Sequence, residues 1–405
     1  MRELVVIGGG AAGFYGAITA AELGVSDVLI LERGKEVLTK VRISGGGRCN
    51  VTHHCFEPRD LVAHYPRGKK SLMGPFHRFQ ASDTIEWFES RGVELKVEDD
   101  GRMFPITDSS QTIIDCLTTA AREAGVEWRT GCGVDSIQMD GEYFQIVTST
   151  GETLTAKNIL VATGGVRTKP ARIPAENFEQ DLHPAVPSLF TFKINDSRLG
   201  GLAGVSVTDG GVSIGKLKTR GPVLITHWGL SGPAILKASA WGARDLAEIG
   251  YQFELRINWT GDKNADEVTQ IFKRQREAHG ARKVKKRSVI DGVTKRLWQR
   301  LCEAAGVTEE MTWANLPRDI SRELASQLCE ACFQVLGKSL NKDEFVTCGG
   351  VPLKDVDLKT MESKTTSGLY YAGEVLDIDG VTGGFNFQAA WTTGYLAGTA
   401  ISGSA

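Results

Sequence analysis

Apolar residues open the chain as an unbroken run, Leu4 to Ile7, which stops at the glycines of 8–10. They return at helical spacing from Phe14 to Leu23 and form a second run at Val28 to Leu31. Strand, glycine turn, helix, strand is half of a mononucleotide-binding unit. Helical periods follow at 82–92 and 111–124, with Gly92 and Gly125 where C-caps are expected. Alternating segments near 126–137, 143–148 and 153–163 predict strands, the last ending in ATGG. From about 187 to 260 the apolar stretches shorten between glycines, predicting β structure without long helices. Residues 263–343 return to helical spacing, including one helix over 321–337. The end of the chain resumes the first texture, with a strand at GLYYAGEVL and a helix with a small apolar face at FQAAWTTGYLAGTAI. The expected fold class is α/β. A discontinuous Rossmann-type domain (1–188 and 344–405) is interrupted by a β-barrel-like domain (189–261) and a small helical domain (262–343).

Composition changes this picture only at its edges. A chain of 405 residues, 41% hydrophobic and 24% charged, predicts more than one globular core. A net charge of −2 supplies no overall basic field for nucleic acid or an anionic membrane, so a small-molecule substrate fits better. The opening apolar run is too short for a secretory or spanning segment, which predicts a cytoplasmic protein. Eight cysteines are too sparse for a disulfide scaffold. Cys329 and Cys332 form a lone C-x-x-C without a second ligand pair and are expected to pack in the core, so no metal site is expected.

The chemistry lies in the glycine motifs. GGGAAG places Gly8, Gly10 and Gly13 in the G-x-G-x-x-G pattern, with Ala11 and Ala12 opening the helix. Gly8 permits the turn, Gly10 the approach of a pyrophosphate, and Gly13 close packing of helix on sheet. Glu32 ends the second strand where a carboxylate receives ribose hydroxyls, and Arg33 follows it. That unit alone does not separate NAD from FAD. The loop KVRISGGGRCN adds Arg42, Ser44, Gly46, Gly47, Arg48 and Cys49, a backbone-rich segment suited to a diphosphate and a flavin edge. Ala162, Thr163 and Gly164 end a strand on small residues, and Val134 begins another. Gly373 and Glu374 offer a ribityl contact. Gly384, Phe385, Asn386 and Phe387 start a helix whose N-terminus would stabilise a reduced flavin. Together these motifs select FAD.

With GGGAAG, ISGGGRCN, ATGG, THWGLSGPAIL, VTCGGV and SGLYYAGEVLDIDGVTGGFNFQAAWTTGYLAG in place, the chain resembles the YhiN/BaiN-like FAD-dependent oxidoreductases, a branch of the glutathione-reductase-type flavoproteins. The resemblance spans almost the whole chain. It implies an FAD domain interrupted by barrel-like and helical domains, and NAD(P)H-linked reduction or amine oxidation. Two departures stand out: the segment VRTKPARIPAENFEQD after ATGG is abbreviated against the family pattern, and Cys348 stands where relatives carry Ala or Met.

For the reaction, the residues imply hydride transfer between flavin N5 and a small organic substrate. His227 is the first candidate acid or base, because imidazole exchanges protons near neutral pH. Cys49 and Cys348 are thiol candidates, although neither belongs to a C-x-x-C. No second strand-linked glycine motif serves nicotinamide. NADH or NADPH therefore acts as a transient reductant, or the substrate itself reduces the flavin as in an amine oxidase. A rival reading, an RNA-modifying or nucleic-acid-binding flavoprotein, rests on the basic stretch KRQREAHGARKVKKR at 273–287, continued by Lys295, Arg296 and Arg300. Its lack of interleaved aromatics argues against it. Oligomeric state has no signature in the sequence.

Overall fold

The computed structural model describes residues 1–178, 181–339 and 346–403. The chain forms two compact units, Met1–Pro187 with Lys342–Ala405, and Ser188–Asn341.

The first unit is built on a parallel sheet. Its central strands run Leu369–Tyr371, Thr153–Val161, Arg2–Ile7, Val28–Leu31 and Glu127–Arg129 in spatial order. Leu4 to Ile7 and Val28 to Leu31 are all buried. Parallel strands covered on both faces require continuous apolar runs, which is why these segments do not alternate. Val134–Asp140 and Tyr143–Thr148 add an antiparallel meander beside Thr153–Val161. The opening helix, Ala11–Glu22, packs on the closing helix, Phe385–Ile401. A Cβ at Gly394 would lie 2.7 Å from the Ala12 carbonyl oxygen, and one at Gly398 2.5 Å from that of Gly16. The small apolar face is thus a backbone-to-backbone seam. Buried hydrogen bonds fix the closing helix in place: Trp391 Nε1 donates to the Val51 carbonyl at 2.9 Å and Thr52 Oγ1 donates to Gln388 Oε1 at 2.6 Å.

The second unit contains a closed six-stranded barrel. Its order is Thr191–Ile194, Gly229–Ser231, Leu217–Ile225, Ser206–Ile214, Phe253–Asn258 and Ala331–Ser339. Closure removes exposed strand edges. Barrel residues Phe192, Val212, Leu255 and Phe333 share one core with Phe272, Trp298 and Leu324 of the flanking helices. The segments that the sequence sets apart at 261/262 therefore lie in one unit.

Several local expectations are corrected. The helix expected over 321–337 runs Arg318–Cys329, and Glu330 leaves helical geometry at φ −139° and ψ 33°. From Ala331 to Leu336 burial alternates strictly, the mark of a half-buried strand. Cys329 is buried at the helix end, whereas Cys332 is exposed on the strand, so core packing applies to Cys329 alone. Two short helices, Pro233–Trp241 and Ala243–Glu248, lie within the segment expected to be β-rich without long helices. In the abbreviated segment after Gly165, Lys169–Glu176 is helical. Residues 179–180, and the expected domain junction at 343/344, lie outside the described residues. Among the described residues no helix is long and apolar enough to cross a membrane.

Candidate flavin site

The glycine turn divides into two kinds of position. Gly8 has φ +113°, and a Cβ there would lie 2.3 Å from the Ala162 carbonyl oxygen. A Cβ at Gly13 would lie 2.0 Å from the Gly8 carbonyl oxygen. The protein's own packing demands glycine at both. Gly10 differs: its φ is −91°, open to any residue, and a Cβ there would meet no protein atom within 4 Å. The space before it is the one a pyrophosphate takes in this motif. The helix that follows has neither a side-chain cap nor an acidic residue in its first turn. Its first N–H groups, at Ala11, Ala12 and Gly13, and its positive dipole end are thus left for phosphate.

Glu32 is held rigidly at the end of its strand. Its Oε2 accepts from the Gly9 N–H at 2.8 Å and its Oε1 from the Gly34 N–H at 2.6 Å. Each oxygen keeps a second lone pair for a ribose hydroxyl. The Cys132 N–H donates to the Glu32 carbonyl at 2.8 Å, bringing the start of the Val134 strand alongside. The Arg33 stem lies against Gly133, where a Cβ would meet its Cγ at 3.0 Å.

The second motif is a short helix that breaks, rather than the loop expected. Thr39–Gly47 loses helical geometry at Ser44 (ψ 150°), and Gly45 and Gly46 turn left-handed. Gly46 and Gly47, both at positive φ, would present a Cβ to open space. The flanking arginines have protein partners. Arg42 Nη1 donates to Gln111 Oε1 at 2.7 Å. Arg48 pairs with Glu98 at 2.6 Å and lies over the Phe104 ring, 3.9 Å from its centroid. These contacts shape the loop and engage both side chains that were expected to meet the cofactor.

The third corner joins the ATGG turn to the C-terminal segment. Glu374 Oε1 accepts from the Thr347 N–H at 2.7 Å, while Oε2 pairs with Lys40. Gly165 packs against them: a Cβ there would lie 2.1 Å from Thr347 Oγ1 and 3.0 Å from Glu374 Oε1. Gly164 sits beside the same carboxylate and Gly373 against Ala12. At the closing helix, the Asn50 amide, oriented to satisfy its neighbours, accepts from the Gly384 N–H at 2.9 Å. Asn386 turns back on its own loop, accepting from the Gly380 N–H at 2.8 Å and donating to the Gly380 carbonyl at 2.9 Å. Phe385 stacks on His64 at 4.1 Å and Phe387 on Trp391 at 5.6 Å. Asn386 and Phe387 therefore order the approach to the helix.

A model of the HI0933-like protein Rossmann domain family matches residues 2–400. The chain belongs to this family. Two curated relatives are each 29% identical: a 3-dehydro-bile acid delta(4,6)-reductase of Clostridium scindens, with 99% of both chains covered, and a ribosomal RNA dihydrouridine synthase of Escherichia coli, with 97% of this chain and 96% of that protein covered. Among solved structures, a flavocytochrome c3 fumarate reductase superposes with a TM-score of 0.52 at 18% identity, over 100% of this chain and 78% of that one. A 3-ketosteroid-delta4-(5alpha)-dehydrogenase of Rhodococcus jostii gives 0.52 at 13% identity, over 99% and 96%. These superpositions share the fold: a Rossmann-type FAD-binding domain carrying a barrel and helices. The HI0933-like chain is an FAD-dependent oxidoreductase, and the open space before Gly10, the uncapped helix and the Glu32 carboxylate fit that cofactor.

The candidates for acid–base and thiol chemistry in this HI0933-like protein fare differently. His227 is exposed at the turn between two barrel strands, in the second unit, whereas the glycine turns belong to the first. Cys348 is buried on the strand Val346–Gly350. Cys49 is fully buried, and burial pushes its thiol up to about 12 against a weaker opposing hydrogen bond from Ser44. Burial and a pKa shifted in that direction both disfavour Cys49 as a redox nucleophile. Brief iodoacetamide treatment of the native protein at pH 8 is therefore expected to label exposed Cys332 and spare Cys49. Rapid Cys49 carboxymethylation by peptide mass spectrometry would contradict this. Lys40, Thr347 and Asp377 lie inside the quoted motifs without being singled out there, and His183 lies outside them; Lys40 and Thr347 meet at Glu374, and His183 meets Asp377, only through tertiary structure.

Proposed function

We propose that this flavoenzyme reduces a carbon–carbon double bond conjugated to a carbonyl in a small ring-containing substrate, with NADH or NADPH as transient reductant. The names of the two curated relatives, a delta(4,6)-reductase of a 3-dehydro bile acid and a synthase of dihydrouridine in ribosomal RNA, share the saturation of such a ring bond. Bound FAD would supply an electron pair as hydride from N5. Gly10, the N–H groups of Ala11 to Gly13, Glu32 and Glu374 would hold it and fix its orientation. The single observation carrying a direct two-electron step to substrate is the state of Cys49. The thiol within the cradle motif is fully buried and belongs to no C-x-x-C, and burial raises its pKa, all of which disfavour a disulfide relay there.

Part of the basic stretch is neutralised within its own unit. Arg276 Nε donates to the Trp313 carbonyl at 2.9 Å, and Lys285 is buried and pairs with Glu303 and Glu309. Arg300 pairs with Glu303 at 3.2 Å. These three charges are spent on their own unit, whereas Lys273, Arg274, Arg282, Lys286 and Arg287 stand exposed, so RNA binding is tested directly.

The test is anaerobic. NADH or NADPH is expected to bleach the flavin band, and a 3-keto steroid with a conjugated double bond is expected to restore it. Bleaching by an amine in place of nicotinamide would instead mark an amine oxidase. Reoxidation by unmodified ribosomal RNA, with salt-sensitive RNA retention, would overturn the small-molecule reading.

A further inference from the structure

We infer that His183 is the proton donor of the site, with Asp377 as its positioning residue. The inference rests on the reductase reading above and names the group that completes it. His183 Nδ1 lies 2.6 Å from Asp377 Oδ2, across 194 positions of sequence. The Asp377 side chain is only 9% exposed, while that of His183 is 45% exposed. A buried carboxylate bonded to Nδ1 fixes the imidazole's tautomer and ring orientation, and leaves Nε2 as the nitrogen that exchanges protons with substrate or water.

One short strand places this dyad beside the cofactor corner. Near its start, Val346–Gly350 presents Thr347 to Gly165 and Glu374. Two residues on, a Cβ at Gly349 would lie 2.3 Å from the Pro184 carbonyl oxygen and 2.9 Å from that of His183. The chain then continues alongside the Asp377 segment: the Val351 N–H donates to the Val375 carbonyl at 2.8 Å and the Asp377 N–H to the Val351 carbonyl at 2.9 Å. Two residues of extended chain span about 7 Å. The dyad therefore lies in the first unit and is tied to the Gly165–Glu374 corner through this one strand.

The balance of the step is simple. Bound FAD, reduced by a nicotinamide donor, would supply the hydride for the β-carbon as the conjugated double bond opens toward the carbonyl. The Nε2–H bond of the imidazolium breaks as a C–H bond forms at the α-carbon. His183 is left neutral with Nδ1–H still on Asp377, and water returns the proton. The substrate gains two electrons and two protons: the hydride carries both electrons and one proton, and His183 supplies the second proton.

Three variants test this: His183→Gln, which keeps a hydrogen-bonding side chain facing Asp377, His183→Ala, and Asp377→Asn, which keeps the acceptor but removes the charge. Prereduced His183→Gln holoenzyme is expected to be reoxidised by the conjugated keto steroid at least about 100-fold more slowly, the usual scale for general acid catalysis. Reoxidation by ferricyanide, which needs no proton on carbon, should stay within about twofold. Imidazole should restore part of the rate to His183→Ala, and Asp377→Asn should fall between wild type and His183→Ala. A readout independent of turnover is carbethoxylation by diethyl pyrocarbonate, followed by peptide mass spectrometry. His183 of the apoprotein should react, and FAD with keto steroid should protect it. An unchanged steroid rate in His183→Gln overturns the inference. If wild type reduces no such steroid, the reductase reading fails, and the dyad is then judged by labelling: equal His183 modification with and without FAD overturns it.

Discussion

Gly10→Val is expected to leave the apoprotein folded and to weaken FAD binding by at least about 100-fold, or roughly 2.7 kcal/mol. The three motif glycines make this a sharp comparison. Gly8 and Gly13 are enforced by the protein, since a Cβ at either position collides with backbone at 2.3 or 2.0 Å. Valine at those positions should damage the fold itself. Gly10 has an extended, ordinary backbone and an open front, so valine clashes with no protein atom within reach of its Cβ. Its cost to the helix is the loss of glycine's modest N-cap preference, no more than about 1 kcal/mol. The side chain does fill the space through which a pyrophosphate approaches the first helical N–H groups. Quenching of flavin fluorescence on titration would report the affinity, and thermal unfolding of the apoprotein the fold. Wild-type affinity in Gly10→Val would show that the cofactor lies elsewhere.

What the sequence made legible follows from how local each feature is. The first βαβ segment could be read completely, because glycine spacing, the unbroken apolar strands and Glu32 all lie within one short stretch and have one joint solution. The barrel's last strand could not. Leu324, Leu328 and Cys329 set a helical period, and no glycine or proline stands between Cys329 and Ala331 to announce its end. The strict alternation of Ala331, Phe333 and Val335 was present but was absorbed into the preceding helix. The change of texture at 262 marks no core boundary, because Phe272, Trp298 and Leu324 bury themselves in the barrel's own core.

At the site the division is similar. The packing roles of Gly8 and Gly13 are legible because glycine leaves a conformational mark. Side-chain roles were less so. Arg42, Arg48 and Asn386 are polar residues in glycine-rich segments, which made them natural cofactor contacts. Their partners Gln111, Glu98 and Gly380 become visible only when the chain folds. His183 and Asp377 meet from the first unit's two separate segments, and no spacing rule connects them.

Arg67→Met is expected to destabilise the apoprotein by about 3 kcal/mol or more, the largest effect anticipated for a single residue away from the glycine turns. Asp379 is fully buried, with 0% exposure, and the Arg67 side chain is 11% exposed. Nε and Nη2 of Arg67 donate to the two oxygens of Asp379, a bidentate pair. Removing the arginine takes away the bidentate charge partner of a carboxylate already out of water, which costs far more than an exposed ion pair would contribute. The loop between Glu374 and Gly383 should feel this directly. Ile378 packs within 3.1 Å of where a Gly68 Cβ would stand, and the Val381 N–H donates to the His64 carbonyl at 2.9 Å. That loop carries Asp377, so FAD affinity and the His183 dyad should both loosen with it. The double variant Arg67→Met/Asp379→Leu removes both charges and should recover most of the stability, because replacing a buried pair with apolar side chains avoids the desolvation penalty. Denaturant titration of the two variants gives the answer. A single variant within about 1 kcal/mol of wild type, or a double variant no better than the single, would mean that the pair does not anchor this loop.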